Sequence, residues 1–102
     1  MKRVQKLEDL SGERFLIFKH SSRCPISSHA HAVVQSIEPS LQVPVYLIVV
    51  PEDRPLAEAV ARHYGVPHHS PQVILVERGK ALWHCSHFEI TPEGVLEAAG
   101  GK

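Results

Sequence analysis

Phe15-Leu16-Ile17-Phe18-Lys19-His20-Ser21-Ser22-Arg23-Cys24-Pro25-Ile26-Ser27 is the stretch on which the fold turns. Its four leading apolar residues predict a strand buried on both faces, followed by a polar loop over Lys19–Arg23. Pro25 suits the first position of a helix, where its missing N–H costs nothing. Ile26, Ala30, Val33 and Ile37 then follow as one apolar stripe, until Pro39 stops the helix. Strand, polar loop, cysteine and helix in that order place Cys24 where a sheet hands over to a helix.

Working outward, the same alternation continues. Val4, Leu7 and Leu10 have helical spacing, closed by Ser11-Gly12, and predict a short N-terminal helix. Val45–Val50 predicts a second buried strand. Asp53-Arg54-Pro55 opens a helix whose buried face is Leu56, Ala59, Val60 and Tyr64, with Gly65 as terminator. Val73–Val76 predicts a third strand, and Arg78-Gly79-Lys80 a tight turn into an antiparallel fourth, roughly Ala81 to Cys85. Thr91-Pro92-Glu93 starts a last helix, with Thr91 as N-cap, running to about Ala99 before Gly100-Gly101 frays. The expectation is one α/β domain over residues 1–102, with a central four-stranded mixed sheet flanked by helices. The first three strands, joined through helices, should have right-handed crossovers.

Composition narrows the partners. The 102 residues carry 11 Lys+Arg and 11 Asp+Glu, a formal charge of zero. Nucleic acid and anionic membranes both demand a basic excess, so neither is expected as a partner. No apolar run approaches the ~20 residues that span a bilayer. No apolar signal segment follows Met1-Lys2-Arg3, so the expected location is the cytoplasm. Two cysteines, Cys24 and Cys85, are too few for a disulfide scaffold.

Cys24 is the candidate nucleophile. A sulfur at a helix start faces unpaired backbone N–H groups and the positive end of the helix dipole, which favour thiolate over thiol. Arg23 and Lys19 add positive charge if their side chains turn inward. The polar neighbours of Cys24 argue against a merely buried capping cysteine. Ser27 stands three residues on, where a cysteine would resolve a mixed disulfide; a serine hydroxyl can hydrogen-bond to the sulfur or cap the helix. Cys24 should therefore work as a single thiol. Ser70-Pro71 precedes the third strand, where a proline costs no ladder bond. Cys85 ends the fourth strand at the same sheet edge, as a packing residue or a second, resolving thiol. The eight histidines lack the spacings of a metal site, so no metal is expected. They are expected to sit on the surface and titrate near ~6.5.

Lys19-His20-Ser21-Ser22-Arg23-Cys24-Pro25-Ile26-Ser27, Arg54-Pro55-Leu56, Gly65-Val66, His69-Ser70-Pro71-Gln72-Val73, Trp83-His84, Ser86-His87 and Ile90-Thr91 come in an order that resembles the bacillithiol-system YtxJ family, the monothiol bacilliredoxins. The resemblance covers nearly the whole chain. It implies a thioredoxin-like fold, whose element order the chain follows, with a cis Ser70-Pro71 bond against the active cysteine. It implies a thiol–disulfide oxidoreductase that removes bacillithiol from mixed disulfides on client proteins. Cys24 would attack, Ser70 and Pro71 would line the docking groove, and Ser86, His87 and Thr91 would touch bacillithiol. Lys19, Arg23 or the helix start at Pro25 and Ser27 would face its carboxylates. Bacillithiol would be a co-substrate, with no tightly bound cofactor. Two features depart from the family pattern: Arg23 stands where a threonine is expected, and Cys85 has no assigned place. Two rival readings are an iron–sulfur carrier of the monothiol-glutaredoxin type, which Pro25 disfavours, and a redox-inactive binding module.

Overall fold

The computed structural model describes residues 1–100. The chain forms β1 (Lys2–Arg3), β2 (Arg14–Ser21), α1 (Pro25–Ile37), β3 (Val45–Val50), α2 (Arg54–Tyr64), β4 (Gln72–Glu77), β5 (Lys80–Ser86) and α3 (Pro92–Gly100). Short 3₁₀ turns lie at Leu7–Asp9, Glu38–Ser40 and His87–Glu89. The strands make one mixed sheet in the order β1-β3-β2-β4-β5. Of the expected C-terminal fraying, Gly101 lies outside the described residues.

The sheet has five strands, not the four expected. The apolar spacing of Val4, Leu7 and Leu10 does not become a helix. Lys2 and Arg3 instead pair in parallel with Tyr46 and Leu47, and only Leu7–Asp9 turns. Val4 is the reason: it is buried beneath the sheet edge, and its amide donates to Leu47 O at 3.0 Å. Arg3 ties the new edge to α2 through Asp53, with Nε and Nη2 each 3.1 Å from Oδ2.

β2 lies at the centre and is longer than its apolar run. Leu16–Ser21 pairs in parallel with Val45–Val50, and Arg14–Lys19 pairs antiparallel with Glu77–Gln72. Lys19, His20 and Ser21 therefore belong to a strand rather than a loop. β4 runs antiparallel to β2, so of the two connections through helices α1 and α2 only the β2-to-β3 one joins parallel strands. Arg78 and Gly79, at φ 53° and 80°, make the two-residue turn into β5 with the left-handed geometry that suits a hairpin.

The sheet separates two apolar clusters. Phe15, Ile17, Tyr46, Ile48, Ile74 and Val76 meet Leu56, Ala57 and Val60 of α2 on one side. Leu16, Phe18, Val73, Leu75 and Cys85 meet Ala30, Val34 and Ile37 of α1 and Val95 of α3 on the other. Ala57 takes the buried place expected of Ala59. On α1 the buried line is Ser27, Ala30, Val34 and Ile37: Ala30 and Ile37 are buried as expected, while Ser27 and Val34 take the places of Ile26 and Val33, which are half-buried. The shift follows from Ser27, whose hydroxyl is drawn inward by strand atoms described below.

Val34→Ala should therefore cost more than Val33→Ala. Urea unfolding should show a loss of about 2 kcal/mol for the first and under about 1 kcal/mol for the second. Equal losses would return the helix to the register read from sequence.

Candidate functional site

The registers bring the chemistry to one end of the sheet. Ile48, Lys19, Gln72 and Ser86 form one row across β3, β2, β4 and β5. Beyond that row lie Cys24 after β2, Ser70 and Pro71 before β4, and His87 after β5. The Ser70–Pro71 bond is cis, as is the unforeseen Val50–Pro51 bond at the end of β3.

The β2-to-α1 loop is only Ser22, Arg23 and Cys24. Ser22 anchors it: its amide donates to Val50 O at 2.9 Å, and its hydroxyl reaches the Glu52 carboxylate at 3.2 Å. Cys24 is the N-cap residue of α1, with φ −120° and ψ 123°, and is half-buried. Its carbonyl accepts the amides of Ser27 and Ser28 at 3.0 and 3.1 Å. Pro25 follows as the first helical residue and is exposed. Arg23 is also exposed, with no ion pair among the described residues holding it inward.

Ser27 neither caps the helix nor bonds to the Cys24 sulfur. Its side chain is fully buried; Oγ accepts the Ser21 amide at 2.7 Å and meets His20 Nδ1 at 2.9 Å. The hydroxyl thus fastens the first turn of α1 to the end of β2. His20 stacks on His31 of α1 at 4.8 Å between ring centroids, and Phe18 lies against both rings. These two histidines are part of the packing between strand and helix, not surface decoration. Burial, and then the nearby His31, lower the pKa of His20 below 6.5.

Lys19 does not turn toward Cys24. It is fully buried on the opposite face of β2, where its Nζ donates to His68 Nδ1 at 3.2 Å. Burial lowers its pKa from 10.5 to about 8. Gln72, opposite Lys19 in the ladder and also fully buried, donates from Nε2 to Pro67 O at 2.9 Å. Two side chains of the central sheet thus hold the loop that ends in Ser70-Pro71. The hydroxyl of Ser70 is buried with no hydrogen-bond partner among the described residues.

The third edge of the site is the turn after β5. His87 adopts φ 55°, uncommon for a residue with a side chain, and its amide donates to Pro71 O at 3.0 Å. That bond draws the turn against the proline, and the rings of His87 and His69 meet edge-on at 5.5 Å. The Ser86 amide donates to Glu89 at 3.3 Å. Phe88 projects into solvent at 74% exposure, and the turn packs against α1. Thr91 caps α3 through its hydroxyl, which accepts the Gly94 amide at 3.1 Å. Cys85 faces the interior opposite Val73, in the cluster beneath α1. Burial, with Glu89 adding to it, pushes its thiol up to about 12.

The structure thus gathers Cys24, Pro25, Ser70, Pro71, Ser86 and His87 at one end, and turns Lys19, Ser27 and Cys85 inward. The sequence reading passes over the roles of His20, His31, His68 and Gln72. A signal for the first of them, and for the inward turn of Lys19, was present. Continuing the strand's alternation past Phe18 sets Lys19 with Phe15 and Ile17, and His20 with Leu16 and Phe18. Among the described residues, no three side chains from His, Cys, Asp and Glu come together as a metal site would need.

The buried titrating groups make stability depend on pH. A folded pKa of about 8 for Lys19, against 10.5 unfolded, means that the unfolded chain holds more protons in that interval. Wild-type stability should therefore rise as pH increases from 8 toward 10.5. Lys19→Met should lack that rise and be more stable at neutral pH, by roughly 1–3 kcal/mol. His20 has the same sign in a lower range: stability should fall as pH drops below 6.5, less steeply in His20→Asn. Urea titrations across pH check both; a Lys19→Met protein less stable at pH 7 would contradict the first.

A family model for monothiol bacilliredoxin BrxC matches residues 1–95. Among solved structures, one described as a candidate oxidoreductase with a thioredoxin fold superposes with a TM-score of 0.87 at 22% identity, covering 95% of this chain and 91% of that one. A thioredoxin point mutant from Halobacterium salinarum gives 0.72 at 20% identity, covering 95% and 84%. Mitochondrial thioredoxin 3 from Saccharomyces cerevisiae gives 0.74 at 9% identity, covering 100% and 95%. At these identities the structures establish the fold, which is thioredoxin-like. No helix among the described residues is long and apolar enough to cross a membrane. The half-buried cysteine at a helix start, the fold around it and the match over nearly the full length agree: the chain belongs to the monothiol bacilliredoxin family, a family of thiol–disulfide oxidoreductase type.

Proposed function

We propose that this protein removes bacillithiol from mixed disulfides on client proteins in a reducing, cytoplasmic setting. The observation that carries the reading is the setting of Cys24. It stands at the start of α1, half-buried, at the sheet end shared by the Ser70–Pro71 loop and the His87 turn.

The chemistry needs one thiol on the protein. The Cys24 thiolate attacks the bacillithiol sulfur of the mixed disulfide. A bond forms between Cys24 and bacillithiol, the bond to the client breaks, and the client leaves as a thiolate that takes a proton from water. A second bacillithiol, as its thiolate, then attacks the bacillithiol sulfur on Cys24, leaving as bacillithiol disulfide and restoring the Cys24 thiolate. Bacillithiol is thus a co-substrate, and no resident cofactor is required. Ser27 supports the single-thiol route because its hydroxyl is committed to His20 and Ser21. The buried, strongly raised Cys85 thiol supports it too, since thiolate is the attacking species.

Binding follows from the rim. The Ser70–Pro71 loop receives the client chain beside Cys24. Exposed Pro25 and Phe88 offer apolar contact, and His87, Ser86, Thr91 and exposed Arg23 offer donors to the bacillithiol carboxylates.

Release of client thiol from a bacillithiolated protein tests the proposal. Cys24→Ser should abolish release. Cys85→Ser should retain it within about threefold of wild type, since a buried cysteine of high pKa is inert. The same client carrying glutathione should react more slowly if the rim selects bacillithiol. Full activity in Cys24→Ser would overturn the mechanism; equal rates for both adducts would remove the bacillithiol preference alone.

A further inference from the structure

We propose that Lys19 and His68 are positioning residues, which set the Ser70–Pro71 loop for client docking by a buried grip beneath it, without touching substrate. This rests on the reading that clients dock at that loop and exchange at Cys24.

Four observations lead there. Lys19 is a fully buried cation with no carboxylate partner among the described residues. Its one side-chain partner among the described residues is His68, three residues ahead of Pro71 in the chain. Its ladder neighbours are Ile48 on β3 and Gln72 on β4, which carry no charge. Gln72 grips the same loop one residue earlier, at Pro67, while its own Oε1 has no partner among the described residues. A buried unpaired lysine is costly to keep, and methionine would fill the space with less penalty. A stabilising role therefore does not account for it. What the ammonium does do is fix the loop leading into the cis proline from a rigid central strand.

The grip requires opposite protonation states. Nδ1 of His68 accepts only while the ring is neutral, and Lys19 donates a charge-assisted bond only while protonated. His68 is half-buried; besides Lys19, the charges that bear on it are Arg54 and Glu58 of α2 and the neighbouring His69. Burial, followed by Lys19 and Arg54, lowers the pKa of His68 below 6.5, which keeps the ring neutral at physiological pH. Lys19 is half deprotonated at about 8. The grip is fullest between those limits. Below them two cations face each other; above them the bond loses its charge.

Two substrates separate this from the exchange chemistry: a bacillithiolated protein, which uses the loop, and a small symmetrical disulfide such as bis(2-hydroxyethyl) disulfide, which does not. For the wild type, KM for the protein substrate should pass through a minimum between pH 6 and 8, while the KM for the small disulfide shows no such minimum. Lys19→Met and His68→Leu should raise that KM about tenfold, the size of one lost charge-assisted hydrogen bond. Their kcat, and their rates with the small disulfide, should change less than about threefold. His68→Gln keeps an acceptor that does not titrate. It should restore the low KM and lose only the acid limb of the profile. Wild-type KM values in both Lys19→Met and His68→Leu would overturn the inference, as would a KM flat across pH. Should Lys19→Met not fold, the two His68 variants decide the matter. Failure of wild type with either disulfide would instead overturn the exchange reading itself.

Discussion

The pairing of β2 on both of its edges is the constraint from which the rest of the molecule follows. Six residues are held by β3 and six by β4. The ladder does not stop where the apolar run stops; it carries Lys19, His20 and Ser21 to the end of the sheet. Side-chain alternation then sends Lys19 to the α2 face and His20 to the α1 face. Each polar group must find a partner once buried. Lys19 finds His68 of the loop before β4, and His20 finds Ser27 of the helix. The central strand thereby reaches into both neighbours of Cys24 through hydrogen bonds rather than through packing alone.

This arrangement gives the position of a helical resolving cysteine a different use. In the sequence, Ser27 reads as a hydroxyl available to the Cys24 sulfur. In the fold it completes a bond to the Ser21 amide and a bond to His20, and is inaccessible. The second thiol, Cys85, is held in the cluster beneath α1, where burial disfavours its charge. One sulfur is left at the sheet end, in keeping with the monothiol family to which the chain belongs.

Much of the framework was legible because it rests on strong local signals. The apolar runs at Phe15–Phe18, Val45–Val50 and Val73–Val76 all lie inside strands, and the prolines at 25, 55 and 92 all sit at helix starts. Gly65, at φ 69°, ends α2 as its type suggests. What escaped was tertiary in origin. β1 is two charged residues whose pairing depends on an available edge of β3, which no periodicity encodes. The antiparallel direction of β4 is set by packing of the whole sheet. The inward turn of Ser27 depends on a partner seven residues earlier, on another element. At the site, the chain positions of Cys24, Ser70, Pro71 and His87 were readable. Their closeness required the ladder registers, and the left-handed His87 carried no glycine to announce it.

The central claim is that Cys24 alone carries the small thiol during turnover. Intact mass after treatment with bacillithiol disulfide, without reductant, tests it most directly. The account predicts a single bacillithiol adduct that is absent in Cys24→Ser and present in Cys85→Ser. A loss of two hydrogens would contradict it by showing a Cys24–Cys85 disulfide, and no mass change would contradict exchange chemistry at Cys24 altogether.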